Sequence, residues 1–237
     1  MTEARPSGAL LTCVIPAPPK RPLIRTVEDA VRYGGGSQAP GRWSKVFNPV
    51  RTRWQDSNRE NFERSIAAQD AAEAAARGGA MSAVGHLWLA KVDLAGNQYD
   101  LGLASCRVIT TTGVNFIVDA FQGLVEPENM KYHGLGTGGS AEAVGNTALT
   151  TELTTQYSTS NTRPTGSLGE QAGNANVYET IATITVSATV AATEHGIFSQ
   201  AATGGGVMLD RTLFSVVNLA SGESLQSTYQ LSMFAGF

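Results

Sequence analysis

A dozen residues near the C-terminal end constrain this chain most. Between 223 and 234, Leu225, Tyr229, Leu231 and Met233 alternate with Gln226, Thr228, Gln230 and Ser232. Strand side chains point to opposite faces with a period of two, so this run describes a strand with one apolar and one polar face. Such a strand does not stand alone: its apolar face needs a second layer and its backbone needs neighbours. Runs upstream offer both. Residues 177–190 are rich in Thr, Ile and Val, 194–199 are short and β-like, and 207–219 follow the glycine turn at 204–206. Earlier, 86–92 alternate, an Ala-Gly-Asn turn stands at 95–97, 98–103 return, and 106–111 are β-branched. The expected fold is mainly β, an antiparallel β-sandwich (jelly-roll-like) over residues 80–237 with one or two short helices.

Two segments read as helix. Residues 57–77 (SNRENFERSIAAQDAAEAAAR) begin with Ser57 and Glu60 at capping-box spacing, carry the i,i+4 pairs Glu60/Arg64 and Glu73/Arg77, and stop at Gly78-Gly79. Their large apolar residues are chiefly Phe62 and Ile66. Little area can be buried that way, so 57–79 is expected as a spacer or as a small-residue face against a neighbouring subunit. Residues 112–122 place Val114, Ile117, Val118 and Phe121 at helical spacing, with Thr111 or Thr112 as the cap.

Ahead of the first helix, residues 1–56 read as an extended arm. Pro6, Pro16, Pro18, Pro19, Pro22, Pro40 and Pro49 break regular structure, yet apolar and aromatic side chains persist between them. The arm either collapses on its own domain or orders against a partner. Charge favours the second reading. Residues 1–59 hold ten basic side chains against four acidic ones, a net +6, so the remainder carries −9 of the whole-chain −3. A basic arm of this kind fits an acidic surface. Trp43, Phe47 and Trp54 are the candidate anchors, with Arg42, Arg51 and Arg53 as charge partners. The charges are too dispersed among prolines and acids for nucleic acid to be the expected partner. No apolar run approaches the roughly 20 residues of a membrane span, and no signal-peptide pattern opens the chain, so synthesis in a cytoplasm is expected. Cys13 and Cys106 are distant enough in sequence that a disulfide and two reduced thiols both stay open.

Residues 131–153 (KYHGLGTGGSAEAVGNTALTTEL) join the two halves of the domain. Gly134, Gly136, Gly138 and Gly139 suggest a turn or hinge, followed by a helix-competent piece at 146–153. The glycines satisfy G-x-G-x-x-G, but no helix follows directly to aim amides at phosphate, so no nucleotide site is expected. His86, His133 and His195 lack companions at metal-ligand spacing, and Glu194-His195 is expected to be a surface or sheet-edge pair. No G-x-S-x-G, Cys–His protease signature or Ca²⁺-loop spacing occurs. The residues point to no catalysis, no cofactor and no metal. Residues 157–176 carry no period and are expected as an exposed polar loop.

From residue 108 onward the chain resembles a family of virion structural proteins of tailed bacteriophages. The resemblance rests on 108–115 (VITTTGVN), 132–138 (YHGLGTG), 143–152 (AVGNTALTTE), 179–185 (ETIATIT), 193–198 (TEHGIF), 208–214 (MLDRTLF) and 221–231 (SGESLQSTYQL). It covers a little over half of the chain and leaves out residues 1–80. It implies a non-enzymatic β-domain on a virion, oligomeric and expected as a homotrimer. The expected function is a capsid decoration (cement) protein whose arm staples neighbouring copies of the major capsid protein. The alternatives are a tail, baseplate or fibre-attachment protein, whose partners would be tail proteins, and a carbohydrate-binding module. The last is disfavoured by the absence of tryptophan after Trp88.

Overall fold

A computed structural model of the protein describes residues 49–107 and 109–235. The chain folds as helix α1 (Pro49–Arg77), strands β1 (Ser82–Val92) and β2 (Gln98–Arg107), helix α2 (Thr111–Phe121) and a 3₁₀ turn (Pro127–Asn129). There follow β3 (Tyr132–Gly136), β4 (Gly169–Gln171), β5 (Asn174–Thr185), β6 (Val190–Phe198), β7 (Met208–Leu219) and β8 (Ser224–Phe234). A five-stranded sheet in the order β2-β1-β8-β5-β4 faces a three-stranded sheet in the order β3-β6-β7, and every pairing is antiparallel. The result is the expected mainly β sandwich. Its β5–β6 and β7–β8 connections cross between sheets, as jelly-roll connections do.

The alternating C-terminal run is the central strand β8, paired with β1 on one side and β5 on the other. Its Leu225 joins Leu87, Leu89, Ile184, Ala192, Phe214 and others in the main inter-sheet core. A register shift between Ala192 and Glu194 in β6 lets Ala192 and His195, three positions apart, both point inward. The strand expected over 177–190 is two strands, β5 and the start of β6, parted by the turn after Val186.

Helix α1 corrects two expectations. It begins at Pro49, eight residues before the expected start, because proline suits the first helical turn, where no amide partner is needed. Ser57 is therefore not a cap: its hydroxyl donates to the Trp54 carbonyl at 2.7 Å from inside the helix. Nor is α1 a mere spacer. Trp54, Gln55, Asn58 and Phe62 are buried, and Phe62 packs with Val84, Leu103 and Cys106 on the outer face of the five-stranded sheet. Cys13 lies outside the described residues.

Helix α2 is capped by Thr110, whose hydroxyl accepts the Gly113 amide at 3.0 Å. It turns a different face inward than its apolar spacing suggests. Gly113 and Phe116 are buried, while Val114, Val118 and Phe121 are exposed. Gly113 decides this, since a Cβ there would lie 2.7 Å from the Leu209 carbonyl oxygen and only glycine lets the helix approach β7 so closely. The loop expected at 157–176 is not uniformly exposed. Tyr157 and Arg163 are buried in it, and it holds β4, which pairs with β5.

Candidate interaction surface

The glycine stretch is not a hinge. Gly134 and Gly136 lie inside β3, paired with Gly196 and Glu194 of β6, and none of the four glycines has a positive φ. Space, rather than backbone freedom, requires three of them. A Cβ at Gly134 would lie 2.6 Å from the Phe198 ring, one at Gly136 2.6 Å from the Glu194 carboxylate, and one at Gly138 would run into that carboxylate as well. Gly139 has open space around it. The helix-competent piece at 146–153 forms turns instead, because its backbone groups are recruited elsewhere: Leu153 N–H donates to the Leu135 carbonyl at 2.9 Å.

What recruits them is Glu194, which is fully buried rather than a surface residue. Its Oε1 accepts the amides of Gly138 (2.9 Å) and Thr151 (2.7 Å), and its Oε2 accepts that of Thr150 (3.0 Å) and the Arg211 guanidinium (2.8 Å). A carboxylate offers about four acceptor sites, and all are used here. Arg211 is spent just as fully, donating to the Ser140 carbonyl (3.0 Å) and the Thr150 hydroxyl (2.7 Å) as well as to Glu194. A second ion pair, between buried Arg163 and partly buried Glu152, closes the next loop. Arg163 donates to Glu152 (2.9 Å) and to the carbonyls of Gln200 (3.0 Å) and Gly205 (2.8 Å), and lies 3.5 Å over the Phe198 ring. Both arginines fasten loops across the outer face of the small sheet.

Two histidines that stand far apart in sequence meet between the sheets. His133 Nδ1 lies 3.1 Å from His195 Nε2 and 2.7 Å from the Ser227 hydroxyl, and its Nε2 lies 3.1 Å from the Thr180 hydroxyl. Burial, then the neighbouring His195, holds His133 well below the usual imidazole value, and burial takes His195 down to about 3. Both rings are neutral near pH 7 and sealed from solvent. Ser227, which interrupts the apolar face of β8, was the one local sign of this polar layer. The separation of 62 residues hid the rest. Among the described residues, no group of three or more His, Cys, Asp or Glu is arranged to hold a metal ion.

The surface left open lies on the other flank, where α1 closes the sandwich. β2 and β7 are each the edge of their sheet. Gln55 Nε2 donates to the carbonyls of Leu101 (2.5 Å) and Leu103 (3.0 Å), and Asn58 Nδ2 to that of Ala104 (2.9 Å), which gives three carbonyls of β2 a partner from the helix. Asn58 Oδ1 accepts the Ser215 amide (2.8 Å), and Trp54 Nε1 donates to the Ser215 carbonyl (3.2 Å), which satisfies the edge of β7. Bare strand edges invite foreign strands, and this helix covers two of them. Beside the seam runs an open groove of ≈ 650 Å³. The buried side chains Trp54, Leu101 and Val217 floor it, and Val216 and Tyr99 rise half-exposed from its walls. Its rim is charged but mostly self-paired. Lys91 bridges Glu223 at 2.7 Å, and Asp93 accepts from Asn97 and Tyr99. Arg53, on the same rim, is exposed and bonded to no described residue.

The expected anchors therefore separate. Trp54 belongs to the protein's own core, 9% exposed and 6.5 Å from the Phe214 ring, and forms part of the groove floor. Arg53 stands at the groove. Arg51 lies in α1 by its backbone, and Arg42, Trp43 and Phe47 lie outside the described residues. No helix among the described residues is long and apolar enough to cross a membrane. The chain matches no family model, no curated protein and no solved structure.

Proposed function

We propose that this protein is a structural component of a tailed-phage particle, a capsid decoration protein made in the host cytoplasm. Its β-sandwich stands on the shell, as a homotrimer, and its basic N-terminal segment binds the acidic surface of the major capsid protein. The observation that carries this reading is the clamping of α1 across both sheet edges. Residues 1–48 enter the domain at a helix held by Trp54, Gln55 and Asn58, so tension on that segment is passed into both sheets at once. The buried charged pairs support the same reading, since Glu194, Arg211 and Arg163 spend their bonding capacity on fixing loops. A rigid platform with one tethered end suits a cement role, in which linked copies bind with raised effective concentration.

Densitometry of purified particles tests it. A band near one copy per capsid subunit, or one trimer per threefold position, is expected. Fewer than roughly one copy per ten capsid subunits would move the protein to the tail or neck, and absence from particles would overturn the reading. Removal of residues 2–48 should then leave a folded domain that no longer binds capsids. The cut belongs at 48, since removal through 56 would also take Trp54 and Gln55 out of the core.

A further inference from the structure

We propose that copies of this chain join through the outward face of α2, three such helices packing side by side around a common axis. Three observations carry this. The first is an apolar seam turned to solvent. Val114, Val118 and Phe121 follow one another at intervals of four and three, the spacing that lines one side of a helix, and they are 45%, 50% and 79% exposed. The helix meets its own domain on the side away from the seam, through Gly113 and Phe116. Both ends extend the seam. Gly123 N–H donates to the Ala120 carbonyl (3.0 Å) and Leu124 N–H to that of Asp119 (3.0 Å), a Schellman closure that brings exposed Leu124 back beside the last turn. At the other end stands exposed Val144, whose carbonyl accepts the Thr111 amide at 2.8 Å.

The second observation is area. These five side chains present on the order of 500 Å² of apolar surface, near the top of what a monomer's largest patch reaches. Two copies meeting there cover about 1,000 Å² in total, the size at which a specific interface begins, and three cover more. The third is charge. Asp119 is the one charged side chain of α2 and lies about a third of a turn round from the seam, which is flanked by Asn115 and Gln122 instead. A neutral apolar face attracts no ion and repels no copy of itself, so its complement is a face of the same character. The other exposed large apolar side chains among the described residues are Met81, Leu94, Tyr99, Leu168 and Val216, and no two of them share an element. The matching face is therefore α2 of another copy. The number three rests on the decoration reading; the contact through α2 does not.

Sedimentation of the purified full-length protein, free of particles and at micromolar concentration, tests this independently of the virion reading. A trimer is expected. Phe121→Lys and Val118→Lys should each weaken association at least about thirtyfold and leave a folded monomer, because both side chains are exposed within one copy. Leu94→Lys, at an exposed apolar position in the turn between β1 and β2, should leave the mass unchanged. A monomeric unaltered protein would overturn the proposal, as would a trimer indifferent to both α2 variants or one that Leu94→Lys dissociates equally. A dimer that the two α2 variants dissociate would uphold the contact and overturn the threefold arrangement. A trimer that the same variants dissociate, but that is absent from particles, would uphold the contact and overturn the decoration reading alone.

Discussion

The two flanks of this sandwich are sealed by different chemistry. On the β2/β7 flank, α1 closes the edges with neutral amides, Gln55 and Asn58, and with the Trp54 indole. Over the outer face of the small sheet, loops are held by the buried charges of Glu194, Arg211 and Arg163, the last paired with the partly buried Glu152. A neutral seal costs little desolvation and asks only that each edge group find a partner. A charged seal carries a large desolvation penalty and holds only while every charge stays paired. The loop side is therefore the brittle one, and the helix side tolerates a change of conditions better.

Glu194→Gln should produce the largest effect. It leaves Arg211 buried without its counter-charge, so denaturant unfolding should show a loss of about 3–5 kcal/mol. An effect under about 1 kcal/mol would erase the contrast between the flanks. Acid comes next. In the unfolded chain an imidazole takes a proton below about pH 6.5, whereas His133 and His195 are held below that value when folded, His195 at about 3. On descending through pH 6.5 the unfolded chain binds the extra protons, so stability is complete above about pH 7 and falls steadily toward pH 3. At pH 5 the loss from His195 is about 2 kcal/mol, and His133 adds to it in the same direction. A stability curve flat from pH 7 to 5 would contradict the buried neutral pair.

Asn58→Ala should cost about 2–4 kcal/mol, because it leaves the Ala104 carbonyl and the Ser215 amide without partners. That cost should be the same at pH 7 and pH 5, since none of the clamp's own groups titrates there. A strong pH dependence would mean that the amide seal borrows from the charged one. The finest test compares two adjacent glycines. Gly138→Ala pushes a methyl into the Glu194 carboxylate and Thr150 and should cost roughly 1–3 kcal/mol. Gly139→Ala meets open space and should change stability by less than about 0.5 kcal/mol.

Which features were legible in the sequence follows from the range of the forces that set them. The β8 alternation and the α2 segment are local patterns, and both elements form where local patterning puts them. Polar residues that work across the fold were not legible. Gln55 and Asn58 look like a solvent face until two strand edges, distant in sequence, arrive to claim them. The glycines at 134, 136 and 138 look like flexibility until Phe198 and Glu194 crowd them. Trp54 reads as a partner's anchor for the same reason: the Phe214 ring that packs near it lies 160 residues later in the chain, and so does the β7 carbonyl of Ser215 that takes its Nε1 bond.

The clamp of α1 on Ser215 also sets a clock. The two residues joined by the Ser215 amide and Asn58 are 157 positions apart. A ribosome adding about 5–20 residues per second needs roughly 8 to 30 s to travel from one to the other. Through that interval the newborn helix has β2 to rest on but no β7, and its indole has no ring to meet. Closure of this flank therefore waits until β7 has been made, long after α1 and β2 have left the ribosome.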